Sequence, residues 1–168
     1  MALTETLAAR RWAAAYFAAA MLWLGLLIGV AFLATPVKFM APSLSLPVAL
    51  DVGRYTFYVF NKVEWVLAAV LIVAPLSGGA AWPRLLAIAA GLLVIVETVW
   101  MLPFLDHRVG LIIAGQTPPP ADLHVLYIAM EVTKLLVLAA IAFYRARQLV
   151  RAPLRPFAEE VRFVEARY

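Results

Sequence analysis

DLHVLYIAMEVTKLLVLAAIAFY, residues 122–144, is apolar enough to cross a lipid bilayer, yet its first half carries His124, Glu131 and Lys134. At ~1.5 Å of rise per residue the stretch is ~34 Å long as a helix, sufficient for a hydrocarbon core of ~30 Å. An ionisable group inside hydrocarbon costs ~2.5–3.5 kcal/mol or more, so each of these side chains requires a partner. The same oddity recurs at Glu64 and at Glu97, each set in an apolar run. The pattern is that of a polyhelical membrane protein with a polar centre.

Composition agrees. The chain has 168 residues, of which 65% are hydrophobic and 14% charged, against ~25% charged in an average globular domain. Four membrane-crossing helices with short connections use nearly all of it. The net charge of +4 does not mark a nucleic-acid binder, because the arginines collect at the ends that flank the apolar runs. Cysteine is absent, which excludes disulfides, thiolate metal ligands and thiol catalysis.

Working outward, Arg10 and Arg11 precede an uncharged run from Trp12 to Thr35, longer than the ~7–15-residue apolar region of a secretory signal, so it reads as a retained helix. Gly25 and Gly29 within it form a small-xxx-small pair that lets another helix approach closely. Pro36, Pro42 and Pro47 then break the chain into a sizeable connection at the interface, with a short extended piece around Ser43 and Ser45. Lys38 and Arg54 snorkel from it to headgroups. A second helix is expected over about 55–77, ending at Pro75 and the Gly78-Gly79 breaker. A third is expected over about 85–105, with Asp106-His107-Arg108 marking its exit. The fourth spans about 123–144, with Asp122 as N-cap. Residues 149–168 form a basic tail that becomes a short interfacial helix after Pro156. Arginines before the first helix and after the fourth put both termini in the cytoplasm by the positive-inside rule. The expected fold is therefore all-α, a four-helix membrane bundle with 1–148 as one domain.

With these boundaries the three glutamates fall at one level. Glu64 lies ~13 Å from the outer end of its helix, and Glu97 and Glu131 ~12 Å from theirs. Within the fourth helix, His124, Tyr127, Ile128, Glu131 and Lys134 share one side. Lys134 is expected to pair with Glu131 or Glu97, and Glu64 to bond Asn61 or a tyrosine. Lys62, two residues from Glu64, faces elsewhere.

This polar set of Glu64, Glu97, Glu131, Lys134, His124 and Asn61 admits three readings. One is a hydrogen-bonded network that fixes helix register without chemistry. The second is a metal or proton site in the outer half of the bundle, with Glu97, Glu131 and His124 as metal ligands. The di-iron bundle pattern needs Glu-x-x-His, whereas this helix reads Glu131-x-x-Lys134. Met40, Met101 and Met130 offer soft sulfur, although methionine in a membrane helix is commonly filler. The third is haem held by His107 and His124 near the outer helix ends. No phosphate loop, nucleophile elbow or zinc-protease helix is present.

Trp23-Leu24-Gly25, the run Ala34-Thr35-Pro36-Val37-Lys38-Phe39, the Glu64 region and His124-x-x-Tyr127-x-x-x-Glu131-x-x-Lys134 together resemble small four-helix bacterial membrane proteins similar to the copper-resistance protein D superfamily. The resemblance implies a bacterial inner-membrane bundle and, for the wider superfamily, copper handling or haem-linked redox chemistry such as that of a membrane protoporphyrinogen oxidase. The functional expectation is thus a metal-ion (copper) or proton site. The alternatives are a structural or accessory subunit packing against a larger complex through Gly25 and Gly29, and a haem-binding redox protein; the expected partners are the lipid bilayer and a homo-oligomer or larger membrane complex.

Overall fold

The computed structural model describes residues 2–74, 81–120 and 122–151, and among these there are helices and turns and no strand. Four long helices form the bundle. Helix α1 covers residues 2–38 as Ala2–Leu27, a π-helical turn Ile28–Ala34 and a final turn Thr35–Lys38. Helix α2 is Leu46–Val73. Helix α3 covers 82–113 as Trp82–Val96, a second π turn Glu97–Met101 and Leu102–Ile113, and α4 is Leu123–Arg151. Each contains a span long and apolar enough to cross a membrane.

The prolines decide where helices start, and here the structure departs from the sequence reading. Pro47 does not break the chain. It occupies the first turn of α2, where its missing N–H costs nothing and its fixed φ favours entry, so α2 begins nine residues before the expected Tyr55. The connection shrinks to residues 39–45, closed by turns such as Leu44 N–H to Ala41 C=O at 3.1 Å, with no extended piece. Pro36 likewise lies inside α1 rather than ending it. A proline clashes with the carbonyl four residues back, and the preceding π turn rewinds that stretch, with Val30 C=O accepting both the Thr35 N–H and, at 2.8 Å, the Thr35 hydroxyl.

Pro103 repeats the device in α3, where the Leu102 N–H bonds Glu97 C=O across five residues. The helix therefore continues through Asp106-His107-Arg108 to Ile113 instead of leaving at Leu105. It ends in a Schellman turn: Gln116 N–H bonds Leu111 C=O at 2.9 Å and Gly115 N–H bonds Ile112 C=O at 3.0 Å. Gly115 takes φ +75° there, the left-handed region that a side chain disfavours. Asp122 stands at the N-cap position of α4, its carbonyl accepting the Leu126 N–H at 3.0 Å. The expected breakers at Pro75 and Gly78-Gly79, and the expected interfacial helix after Pro156, lie outside the described residues.

Successive helices run antiparallel in a ring, α1 against α2 and α4, and α3 against α2 and α4. At the end near the termini, Tyr16 donates to Pro83 C=O at 3.1 Å, Arg145 stacks on Tyr16 and Trp82 meets Tyr144 edge-on. At the opposite end, which bears the 39–45 and 114–122 loops, Arg54 pairs with Asp51 at 2.7 Å and with Asp106 at 3.5 Å. We call these the terminal face and the loop face. Between them Trp23, Leu27, Leu71, Ala87, Ala90, Val94, Leu138 and Ile141 are fully buried and form the main apolar core. Among the described residues no helix approaches Gly25 or Gly29, since a Cβ added at either meets nothing within 4 Å. Gly25 is exposed and Gly29 half-buried, so neither serves a contact within the described bundle; the close approaches are Gly91 against Ile72 and Gly53 beneath the Lys38 ammonium.

Candidate functional site

Among the described residues, charged side chains are confined to the two ends, apart from one cluster and Lys62. Counting along the helices at ~1.5 Å per residue, Arg54, Asp106 and Asp122 lie ~14–15 Å towards the loop face from Glu64, Glu97 and Glu131. On the other side Arg145, Arg11 and Arg84 lie ~16–20 Å away from Lys134, Trp23 and Glu97. The slab between is ~30–35 Å thick, close to the hydrocarbon core of a bilayer, and the cluster sits near its middle. Lys62 is exposed and lays its ammonium 4.1 Å from the Tyr58 ring centre, which draws the charge towards the loop face.

The cluster is built around Lys134. Its Nζ donates to Glu64 Oε1 at 2.7 Å, Glu97 Oε2 at 2.6 Å and Glu131 Oε1 at 3.2 Å. Three carboxyls from three helices thus take the three N–H donors of one ammonium. Lys134 is 0% exposed and each glutamate 1%, so none of this charge reaches the protein surface. The remaining helix, α1, is represented too, because the Trp23 indole N–H donates to Glu64 Oε1 at 3.1 Å. Two carboxyl oxygens, Glu97 Oε1 and Glu131 Oε2, are buried without a hydrogen-bond partner. Glu97 is the first residue of the α3 π turn, and π turns are frequent where a helix must re-aim a functional side chain.

The carboxyls meet at one level, but not for the expected reason. Glu64 lies ~27 Å from the start of α2 and Glu97 ~24 Å from the end of α3, while Glu131 is ~12 Å into α4. The first two helices overhang the third at the loop face. Lys134 pairs with all three glutamates rather than with one of two, and Glu64 bonds Lys134 and Trp23 rather than Asn61 or a tyrosine.

Asn61 is buried one turn away in a separate small network. Thr98 Oγ1 accepts from Trp65 Nε1 at 2.9 Å and lies 2.9 Å from Asn61 Oδ1 and 2.6 Å from Val94 C=O, the two acceptors available to its single hydrogen. Asn61 Nδ2 is buried and unpaired. Tyr127 is buried beside Glu131 on α4, whereas Ile128, expected on the same side, is exposed.

His124 does not join the site. It is exposed and lies two turns, ~10 Å, along α4 from Glu131. The trio whose carboxylate oxygens lie within 4.8 Å of one another is Glu64, Glu97 and Glu131, so Glu64 stands where His124 was expected. His107 is exposed as well, and two exposed histidines at the loop face do not fit a haem held between the helices. Nor does the donor set fit copper(I): three hard carboxylate oxygens suit magnesium, calcium or manganese rather than a soft ion, and an ammonium already bonds all three.

Trp23 is the site residue that sequence reasoning missed as a functional group. The signal was present, since an indole N–H in the middle of an uncharged membrane helix needs an acceptor when buried. Arg145, 5% exposed, bonded to Gln148 Oε1 at 2.7 Å and leaving Nε unpaired, was likewise read only as part of a basic end.

No protein-family model matches the chain, and the comparisons with curated proteins and with solved structures also yield no match.

Proposed function

We propose that this chain is a proton-handling protein of the bacterial inner membrane, working through the Lys134–Glu64–Glu97–Glu131 cluster. The observation that carries the reading is that one buried ammonium faces three buried carboxyls, two of which keep an unpaired oxygen. Full ionisation leaves two negative charges uncompensated where nothing solvates them, and an unpaired buried charge costs several kcal/mol. Protons on the carboxyls remove that cost, so the charge of the cluster changes only by taking up or releasing protons. Chains of such groups form proton relays in pumps and transporters. In this orientation both termini are cytoplasmic, supported by Arg11, Arg84, Arg145 and Arg147 at the terminal face.

Infrared difference spectroscopy on purified protein tests the reading. A protonated-carboxyl C=O band that changes with pH and is lost in Glu97→Gln supports it. No carboxyl titrating across the pH range in which the protein stays folded refutes it.

A second reading, a divalent hard-metal site, is favoured by the three carboxylate oxygens within 4.8 Å of one another. It requires the Lys134 ammonium to leave or to lose its proton. Stoichiometric metal on elemental analysis, rising in Lys134→Met, supports it; equal and negligible metal in parent and variant removes it.

A further inference from the structure

We propose that the cluster exchanges protons with the loop face only, and that Tyr127 is the relay residue through which they pass. The inference rests on the proton-handling reading and adds a direction and a path to it.

The two sides of the cluster differ in kind. Towards the terminal face, Leu71, Ala90, Val94, Leu138 and Ile141 are all 0% exposed and close the ring without a polar side chain. The next polar side chains are Tyr16, whose hydroxyl is already committed to Pro83 C=O, and Arg145. Among the described residues no polar side chain bridges this layer. Towards the loop face the first turn beyond the carboxyls holds Tyr127, Asn61 and Thr98 instead.

Tyr127 lies one turn before Glu131 on the same side of α4. It is 6% exposed and belongs to a separate small cluster with Met101 and Met130, its ring edge-on to Phe57 at 5.4 Å. The groups bonded to the carboxyls are Trp23 from α1 and Lys134 from α4, and the polar groups in the next turn are Asn61 from α2, Thr98 from α3 and Tyr127 from α4. Among them Tyr127 carries a hydroxyl, both donor and acceptor, on the loop side one turn from Glu131, whose Oε2 has no hydrogen-bond partner, whereas the Thr98 hydroxyl is already engaged by Trp65, Asn61 and Val94.

The step balances without a co-reactant. A hydronium ion on the loop side gives a proton to the phenol oxygen and leaves as water, while the phenol's own hydrogen passes to Glu131 Oε2. The phenol ends neutral as it began, and the carboxylate becomes a carboxylic acid. Release reverses both transfers.

Trp23 supplies the reporter, because its indole bonds Glu64 directly. In a variant carrying W12F, W65F, W82F and W100F, the remaining fluorescence comes from the site. The protein is placed in vesicles in one orientation, verified by protease access to a C-terminal tag, and the pH is jumped on one side at a time. We expect a response to the loop-face jump, none on that timescale to the terminal-face jump, and a loop-face response slowed about tenfold or more by Tyr127→Phe. Equal responses from both faces overturn the sidedness while leaving the proton-handling reading intact. An unchanged rate in Tyr127→Phe overturns the relay. Silence from both faces, in a protein whose infrared carboxyl band also fails to titrate, overturns the inference together with its premise.

Discussion

Lys134 Nζ lies 2.7 Å from Glu64 Oε1, a contact that joins two helices across 70 positions of sequence. The same ammonium reaches Glu97 at 2.6 Å, so one side chain pins α4 to both α2 and α3 at the middle of the bundle. A buried ion pair is not by itself a net gain against a well-packed apolar substitute, but removing one partner leaves the other charged and unsolvated.

Lys134→Met therefore destabilises the bundle by about 3–5 kcal/mol, read as a fall in midpoint on unfolding in detergent. Adding Glu97→Gln removes one of the stranded carboxyls, so the double variant is more stable than the sum of the two single losses by ~1 kcal/mol or more. Strict additivity, or a Lys134→Met protein as stable as the parent, contradicts the pairing.

Trp23→Phe keeps a buried ring but withdraws the donor to Glu64. The loss is ~1–3 kcal/mol for a hydrogen bond to a buried acidic group, together with the volume of the missing pyrrole edge. Trp65→Phe, whose indole is 42% exposed and bonds Thr98, costs visibly less. The order of the two unfolding midpoints is the measurement, and the reverse order counts against Trp23 as part of the site.

The glycines separate by surroundings. A Cβ at Gly91 lies 3.1 Å from Ile72 Cδ1, whereas one at Gly25 or Gly29 meets nothing within 4 Å. Gly91→Ala is destabilising by about 1 kcal/mol through crowding. Gly25→Ala and Gly29→Ala are neutral or stabilising by up to ~1 kcal/mol through helix propensity. A loss of oligomer on gel filtration in Gly25→Ala, with the monomer as stable as before, identifies that outward face as a contact between chains.

His107→Ala and His124→Ala leave stability within ~0.5 kcal/mol of the parent, as exposed substitutions away from packing do. The purified parent is expected to show no Soret band. A Soret band abolished by either change restores the haem alternative.

The four helices were legible because length and apolarity are additive along the chain. Any segment of sufficient hydropathy reads as a span, whatever it packs against. Glu64, Glu97, Glu131 and Lys134 were legible as a group for a related reason: charge in hydrocarbon needs a partner, so its occurrence inside an apolar run marks the site.

Boundaries and partners were less legible. Pro47 and Pro36 read as breakers because a proline's effect depends on whether its helix starts there or is already under way, and on whether a π turn precedes it. His124 looked like a ligand because it shares a helical side with Glu131, but sharing a side does not bring it to the same level.

What the sequence by itself determined is the number of spans, the polar residues that cannot face lipid and the basic character of one end. Only the tertiary structure decided that three carboxyls close on a single lysine, that Trp23 completes the ring and that both histidines remain outside. Contact depends on rotation about each helix axis as well as on depth along it. The extra residue of a π turn shifts that rotation by ~100°, as at Glu97, where the turn begins and the side chain meets Lys134.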